Sequence, residues 1–110
     1  MQKLKTKKHT IMNTRIQAVN FEMANKLEQH IEKKLKKFEK SLDDSTLVEI
    51  KMKVVKPETN MNKETQVKFV ALGSEFFASK TADTFEEGID DTLDAVARQM
   101  EKFKEKRAGK

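Results

Sequence analysis

The spacing of apolar residues constrains the fold of this chain more than any other feature of its sequence. In four segments, apolar side chains fall at every second position, which is typical of β-strands with one buried face. These segments are residues 12–19, 46–56, 64–72 and 75–80. Elsewhere the spacing changes to three or four residues, which is typical of an amphipathic helix. The chain is therefore predicted to contain both strands and helices.

Two segments have the helical spacing, and each carries a single apolar stripe. The first stripe consists of Leu27, Ile31, Leu35 and Phe38, and the second of Phe85, Ile89, Leu93, Val96, Met100 and Phe103. Asp83, with Glu86 three residues later, predicts a capping box at the start of the second helix. Gly88 inside that helix costs about 1 kcal/mol relative to alanine, which a close approach to the sheet would explain.

The order of these segments, β-α-β-β-β-α, predicts an α+β fold with a four-stranded mixed sheet. A helical crossover makes the first two strands parallel, and hairpins make the remaining neighbours antiparallel. The first and fourth strands then point the same way, and each is followed by a helix. We therefore expect two parallel helices on one face of the sheet, as in double-stranded-RNA-binding domains.

The length of 110 residues suits one domain. Residues 1–11 contain four lysines and no apolar periodicity, so we interpret them as a disordered basic arm or an upstream extension, with Met12 as a possible start. Residues 12–107 are predicted to form the single domain, and residues 108–110 a short tail.

Charge is unevenly distributed along the chain, although the net charge is only +5. Residues 83–97 contain six acids and no base, whereas residues 98–110 contain six bases and two acids. The first helical segment, 25–40, contains six lysines and three glutamates. Two parallel helices would thus present basic outer surfaces that can follow a phosphate backbone. The alternative is a pair of ordinary solvated helix faces.

The residues that most enzymes need are scarce. There is no cysteine, and three glycines are too few for a phosphate-binding glycine loop. His9 lies in the basic arm, and His30 is predicted to stand alone on a solvent face. We expect a non-enzymatic protein without a cofactor, metal or small-molecule substrate. With no long apolar run and no signal-peptide pattern, we also expect a cytoplasmic protein without membrane contact.

Several segments resemble one protein family. Residues 76–79 (FFAS) and 83–90 (DTFEEGID) closely resemble the signature of ribosome hibernation promoting factors, also called ribosome-associated inhibitors or sigma-54 modulation proteins. Residues 98–104 (RQMEKFK) are similar to the end of that signature, and residues 32–40 (EKKLKKFEK) to the family's first helix. The resemblance extends over about residues 12–106.

This resemblance implies a β-α-β-β-β-α domain that binds ribosomal RNA of the small ribosomal subunit. Such a protein occupies the mRNA and tRNA channel and silences translation in stressed or stationary-phase cells. It would be a short form without the family's C-terminal dimerisation domain, and a monomer off the ribosome. The resemblance and the charge pattern together give the candidate RNA-binding residues His30, Lys33, Lys34, Lys37, Lys40, Arg98, Lys102 and Lys106.

The sequence departs from the family pattern at two positions. Glu28 and Ala95 stand where many members have a basic residue, which predicts a weaker or shifted RNA footprint.

A generic double-stranded-RNA-binding module is one alternative function, but its second helix would open with lysines rather than Asp83 and Glu86. A protein-interaction domain that binds through its acidic patch is another. Phe76-Phe77 would also place one ring on the open sheet face, where it could stack on a base.

Overall fold

The computed structural model describes residues 3–7, 12–39, 46–55 and 61–108. Seven elements follow one another along the chain: β1 (Lys3–Lys7), β2 (Met12–Val19), α1 (Asn25–Glu39), β3 (Thr46–Val54), β4 (Lys63–Ala71), β5 (Ser74–Ala82) and α2 (Phe85–Ala108). From β2 onward, this is the predicted β-α-β-β-β-α order.

The strands form one mixed sheet in the order β1-β2-β3-β4-β5. Strands β2 and β3 are parallel and are joined through α1, while β3, β4 and β5 are successive antiparallel neighbours. Between β4 and β5 the chain turns through Leu72 and Gly73, both with positive φ, as a two-residue type I′ hairpin requires. The predicted connections of the four-stranded sheet are thus confirmed.

A fifth strand, β1, extends the sheet beyond this prediction. It pairs antiparallel with β2, with Lys5 opposite Ile16. The interpretation of residues 1–11 as a disordered arm is therefore wrong for Lys3–Lys7. Without β1, one side of β2 would leave its backbone groups unpaired, and backbone pairing needs no apolar periodicity. Lysine is also common on edge strands. The rest of the arm lies outside the described residues.

Both helices pack on the same face of the sheet. Leu27, Ile31 and Leu35 of α1 share one buried cluster with the stripe of α2 and the inward residues of the strands. Phe38 of α1 packs on Phe69 of β4, with ring centroids 4.8 Å apart. Phe21, just before α1, stacks on Phe85 at 4.4 Å. The apolar stripes predicted from spacing are therefore the core of the protein.

Helix α2 begins one residue later than its predicted capping box implied. Thr84 Oγ1 accepts a hydrogen bond from the backbone N–H of Glu87 at 3.1 Å, so Thr84 is the capping residue. The carboxylate of Asp83 instead accepts a hydrogen bond from the backbone N–H of Met61 at 2.7 Å. Asp83 thus holds the segment before β4 rather than the start of the helix.

The explanation offered for Gly88 is confirmed, because α2 lies very close to β4 at this position. A Cβ atom on Gly88 would lie 2.5 Å from Thr65 Oγ1 and 3.1 Å from Thr65 Cβ. These distances are too short for a side chain at Gly88 unless Thr65 moves. Gly88 therefore allows the first turns of α2 to pack against the sheet.

Candidate nucleic-acid interface

A groove of about 320 Å³ separates the outer surfaces of α1 and α2. His30 of α1 contacts Asp90 of α2, and about two turns further along both helices, Lys37 and Arg98 line the groove. Residues later in α1 thus lie beside residues later in α2, which means that the two helices run in the same direction. The predicted parallel arrangement therefore creates one continuous two-helix surface.

The groove has an apolar floor and a charged rim. Phe38, Leu93 and Met100 contribute to the floor, and the latter two are almost completely buried. The charged side chains of the rim are those of Lys34, Lys37, Asp94, Arg98, Glu101 and Lys104. Four cations thus converge from two helices on one groove, opposed by two carboxylates.

A polar cluster joins the helices at the N-terminal end of this surface. His30 Nε2 lies 2.8 Å from Asp90 Oδ1, and Lys34 Nζ lies 3.4 Å from the same oxygen. Partial burial, the largest single influence, raises the pKa of Asp90, but the His30 hydrogen bond and the positive charge of Lys34 together outweigh it. The pKa of Asp90 is consequently below its ordinary value.

This cluster corrects the predicted placement of His30. The side chain was expected to stand alone on a solvent face, yet it is only 30% exposed and contacts α2. Helical periodicity places a residue on one face of its own helix, but it does not show which neighbouring helix packs beside that face. A role for His30 in RNA binding stays a prediction.

The acidic part of the second helical segment, residues 83–94, is held by structural contacts; we call it the acidic half. Asp83 binds the Met61 backbone, Asp90 contacts α1, and Asp91 pairs with Lys80 of β5 at 3.4 Å. Asp90 and Asp91 therefore connect α2 to α1 and β5, and Asp83 connects the residues just before α2 to the segment before β4.

The following part of α2, residues 98–106, differs in this respect; we call it the basic half. Arg98, Lys102, Lys104 and Lys106 are all exposed. Within the part of the chain that the structure describes, none of them forms an ion pair. Lys33 and Lys37 of α1 are likewise exposed and unpaired among those residues. These side chains are available to an anionic partner.

Comparison with known proteins identifies the family of this chain. The sequence profile of the family described as Sigma 54 modulation protein / S30EA ribosomal protein matches residues 14–108. The chain belongs to this family. It is a family of ribosome-associated modulation proteins and is not known as an enzyme family. Among curated protein sequences, no individual protein matches the chain.

Solved structures show the same fold at low sequence identity. The N-terminal domain of Protein Y from Thermus thermophilus matches with a TM-score of 0.65 and 15% identity, covering 78% of this chain and 93% of that one. A ribosomal subunit interface protein from Coxiella burnetii matches with a TM-score of 0.64 and 18% identity, covering 81% of this chain and 96% of that one. The predicted fold is confirmed as that of the family.

In this family member, the structure brings together only some of the candidate RNA-binding residues. Lys34, Lys37 and Arg98 line the groove. Lys33, Lys102 and Lys106 are exposed on the helices but do not line it, and Lys40 lies outside the described residues. The groove therefore gathers three of the eight candidates, and three others lie exposed elsewhere on the same two helices.

The sequence patterns did not predict the placement of two residues of α2. Lys104 lines the groove, although it lies off the stripe formed by Arg98 and Lys102. Gln99 accepts a hydrogen bond from the Phe77 backbone N–H at 3.2 Å and donates one to the Phe77 carbonyl at 2.8 Å. It thereby satisfies part of the exposed edge of β5, which protects that edge from pairing with other strands. The sequence signal for Gln99 was its place in residues 98–104, the segment that is similar to the end of the family signature.

Neither a metal cluster nor a membrane span is present in the described residues. Among the residues whose positions are described, no three or more His, Cys, Asp or Glu side chains lie together in a way that could hold a metal ion. No described helix combines the length and apolar character needed to cross a bilayer.

Proposed function

We propose that this protein is a ribosome-bound inhibitor of translation that occupies the mRNA and tRNA channel of the small ribosomal subunit. It acts in the cytoplasm of stressed or stationary-phase cells and is a monomer when it is off the ribosome. The two-helix surface faces ribosomal RNA, and the body of the domain fills the channel. Membership of a ribosome-associated family supports the ribosome as the binding partner.

The observation that carries this proposal is the unpaired basic surface. Lys37, Arg98 and Lys102 are exposed and have no ion pair with another described residue. Binding a phosphate therefore requires no internal ion pair to be broken. Cations on two parallel helices can contact successive phosphates, which position a protein on RNA without reading its sequence.

The dimensions of the protein support steric occlusion as the mechanism. Its principal extents are 50 × 28 × 19 Å, so its cross-section is similar to that of a nucleic-acid duplex. A protein of this size prevents mRNA and tRNA from binding while it occupies the channel. Bound mRNA and tRNA likewise prevent the protein from binding. Inhibition is then reversible, competitive with initiation components, and leaves ribosomal RNA intact.

A cell-free translation reaction tests this mechanism. Purified protein should inhibit translation, and excess mRNA, initiator tRNA and initiation factors, or added salt, should restore it. Cleaved or modified ribosomal RNA, or inhibition that survives washing, would contradict occlusion.

Sedimentation with separated ribosomal subunits tests the partner. The protein should sediment with small subunits, and the variant Arg98→Glu/Lys102→Glu should bind them more weakly. Equal affinity for free duplex RNA would instead favour the generic double-stranded-RNA-binding module.

A further inference from the structure

No described element covers the face of the sheet opposite the helices, and this face carries an exposed aromatic ring. Three large hydrophobic side chains are exposed among the described residues, and Phe77 is the one aromatic among them, at 52% exposure. The neighbouring Phe76 is buried and contacts Phe103 of α2. The core therefore uses only one ring of the pair, and the other lies on the open face.

Phe77 lies at the end of a row of side chains that crosses the sheet. In register, Arg15 is opposite Glu49, Glu49 opposite Lys68, and Lys68 opposite Phe77. Glu49 joins the two cations, with contacts of 3.6 Å to Arg15 and 3.9 Å to Lys68. The row thus places the ammonium group of Lys68 beside the ring, where it also lies 3.9 Å from the carboxylate of Glu75.

A second row runs parallel to the first. Lys51 of β3 is opposite Gln66 of β4, and Lys51 is exposed. Both residues line a shallow depression of about 380 Å³ that also includes Phe77 and the Arg15–Glu49–Lys68 row. The depression therefore combines an aromatic ring, three cations, one carboxylate and amide groups that can donate and accept hydrogen bonds.

We propose that this open sheet face binds single-stranded RNA, with a base stacked on Phe77 and the backbone held by Lys51, Arg15 and Lys68. Bases of any kind can stack on an aromatic ring, and cations on a flat surface hold the phosphates between them. The side-chain amide of Gln66, which donates a hydrogen bond to Glu64 Oε2 at 3.4 Å, also lines this depression.

The chemistry of the depression favours RNA over a protein partner. The core of a protein interface is depleted in charged residues, whereas the ring here is surrounded by polar and charged side chains. Duplex RNA is also a poor fit, because its bases are stacked inside the helix and cannot reach the ring. From strand spacing and rise, Phe77 and Lys51 are about 12 Å apart, a distance that a few nucleotides of single strand can span.

This site is separate from the proposed ribosome-binding surface, because the helices and Phe77 lie on opposite faces of the sheet. The two sites share no residue. The inference therefore does not depend on the proposed function, and each can fail alone.

The test measures binding of a fluorescein-labelled ten-nucleotide uridine RNA to the full chain by anisotropy at low salt. Phe77→Leu, which keeps an apolar side chain but removes the ring, should weaken binding about fivefold or more. Phe77→Tyr should retain it. Lys51→Gln should flatten the dependence of log affinity on log salt by about 0.7.

Two further variants separate the possible outcomes. Met61→Ala, at a site of similar exposure (54%), should change binding less than twofold. The helix variant Arg98→Glu/Lys102→Glu should weaken oligonucleotide binding less than Phe77→Leu does, and Phe77→Leu should cause the same loss in that background as in the wild type. Loss of binding in the helix variant alone, unchanged binding in Phe77→Leu, or equal binding of a duplex would each overturn the sheet-face proposal.

Discussion

The acidic and basic halves of the second helical segment lie next to each other in sequence but have different structural roles. Asp83, Asp90 and Asp91 contact a backbone amide, α1 and β5, respectively. Arg98 and Lys102 have no such contacts with described residues. One half therefore fixes the helix to the fold, and the other presents charge to the outside.

This difference shows why a block of charge in a sequence is ambiguous. The macrodipole favours acids at the start of a helix and bases at its end, but that effect fades within about one turn. What separates the halves is the set of neighbours that the fold supplies to each. A charge reversal in the acidic half should therefore lower stability, and one in the basic half should lower binding.

The largest expected effect is on binding. Arg98→Glu/Lys102→Glu should weaken small-subunit binding about 30-fold or more, roughly 2 kcal/mol, because two phosphate contacts become repulsions. Each lost contact should also reduce the slope of log affinity against log salt by a little under one unit. The thermal midpoint should stay nearly unchanged, since both side chains are exposed.

Lys51→Glu/Lys53→Glu on the open sheet face is the matched control for this variant, because it makes the same change in net charge. It should weaken small-subunit binding far less than Arg98→Glu/Lys102→Glu does, because the proposed contacts with the subunit lie on the two helices. An equal loss would mean that the two-helix surface does not determine affinity by itself, because either total charge or the open sheet face contributes as much.

The second prediction concerns the packing of the acidic half. Gly88→Ala should lower the free energy of unfolding by about 1–2 kcal/mol, because overpacking against Thr65 outweighs the gain in helix propensity. Chemical denaturation measures this change. In a Thr65→Ala background the same substitution should cost less. Equal costs in both backgrounds would show that Thr65 is not the obstacle.

A smaller loss is expected from the cluster between the helices. Asp90→Asn should cost about 0.5–1 kcal/mol of stability, since the ion pairs it removes are partly exposed. Because the folded-state pKa of Asp90 lies below the ordinary value of 3.8, its contribution is present above that pH and is lost as the pH falls through the folded-state pKa.

Denaturation curves of the wild type and Asp90→Asn should therefore converge at low pH and differ at neutral pH. Asp94→Asn, at an exposed site without a described ion pair, is the control and should change stability little. A gap between wild type and Asp90→Asn that persists in acid would contradict the assigned origin of the pKa shift.

Removal of residues 1–11 should have the smallest effect. The sheet from β2 to β5, both helices and the described core all lie beyond these residues. We expect cooperative unfolding with a loss below about 1 kcal/mol, and small-subunit affinity within tenfold, about 1.4 kcal/mol. A larger loss of affinity would identify β1 as part of the binding surface.

Most of the fold could be predicted from local patterns. Apolar residues at every second position indicate which side of a strand is buried, and apolar residues at every third or fourth position do the same for a helix. Leu27, Ile50, Val67 and Leu93 are each buried as this spacing predicts. Gly88 signalled a close approach because a glycine in a helix needs a reason. The basic residues of the two helices were identified in the same way, as the positions outside the apolar stripes.

The contacts between elements were decided by tertiary structure. The pairing of β1 with β2, the contact between His30 and Asp90, and the inclusion of Lys104 in the groove involve residues with no local signal for one another. Periodicity describes one element at a time, so it determines which residues are exposed. Whether an exposed charge meets a partner depends on which element packs beside it, and only the assembled fold determines that.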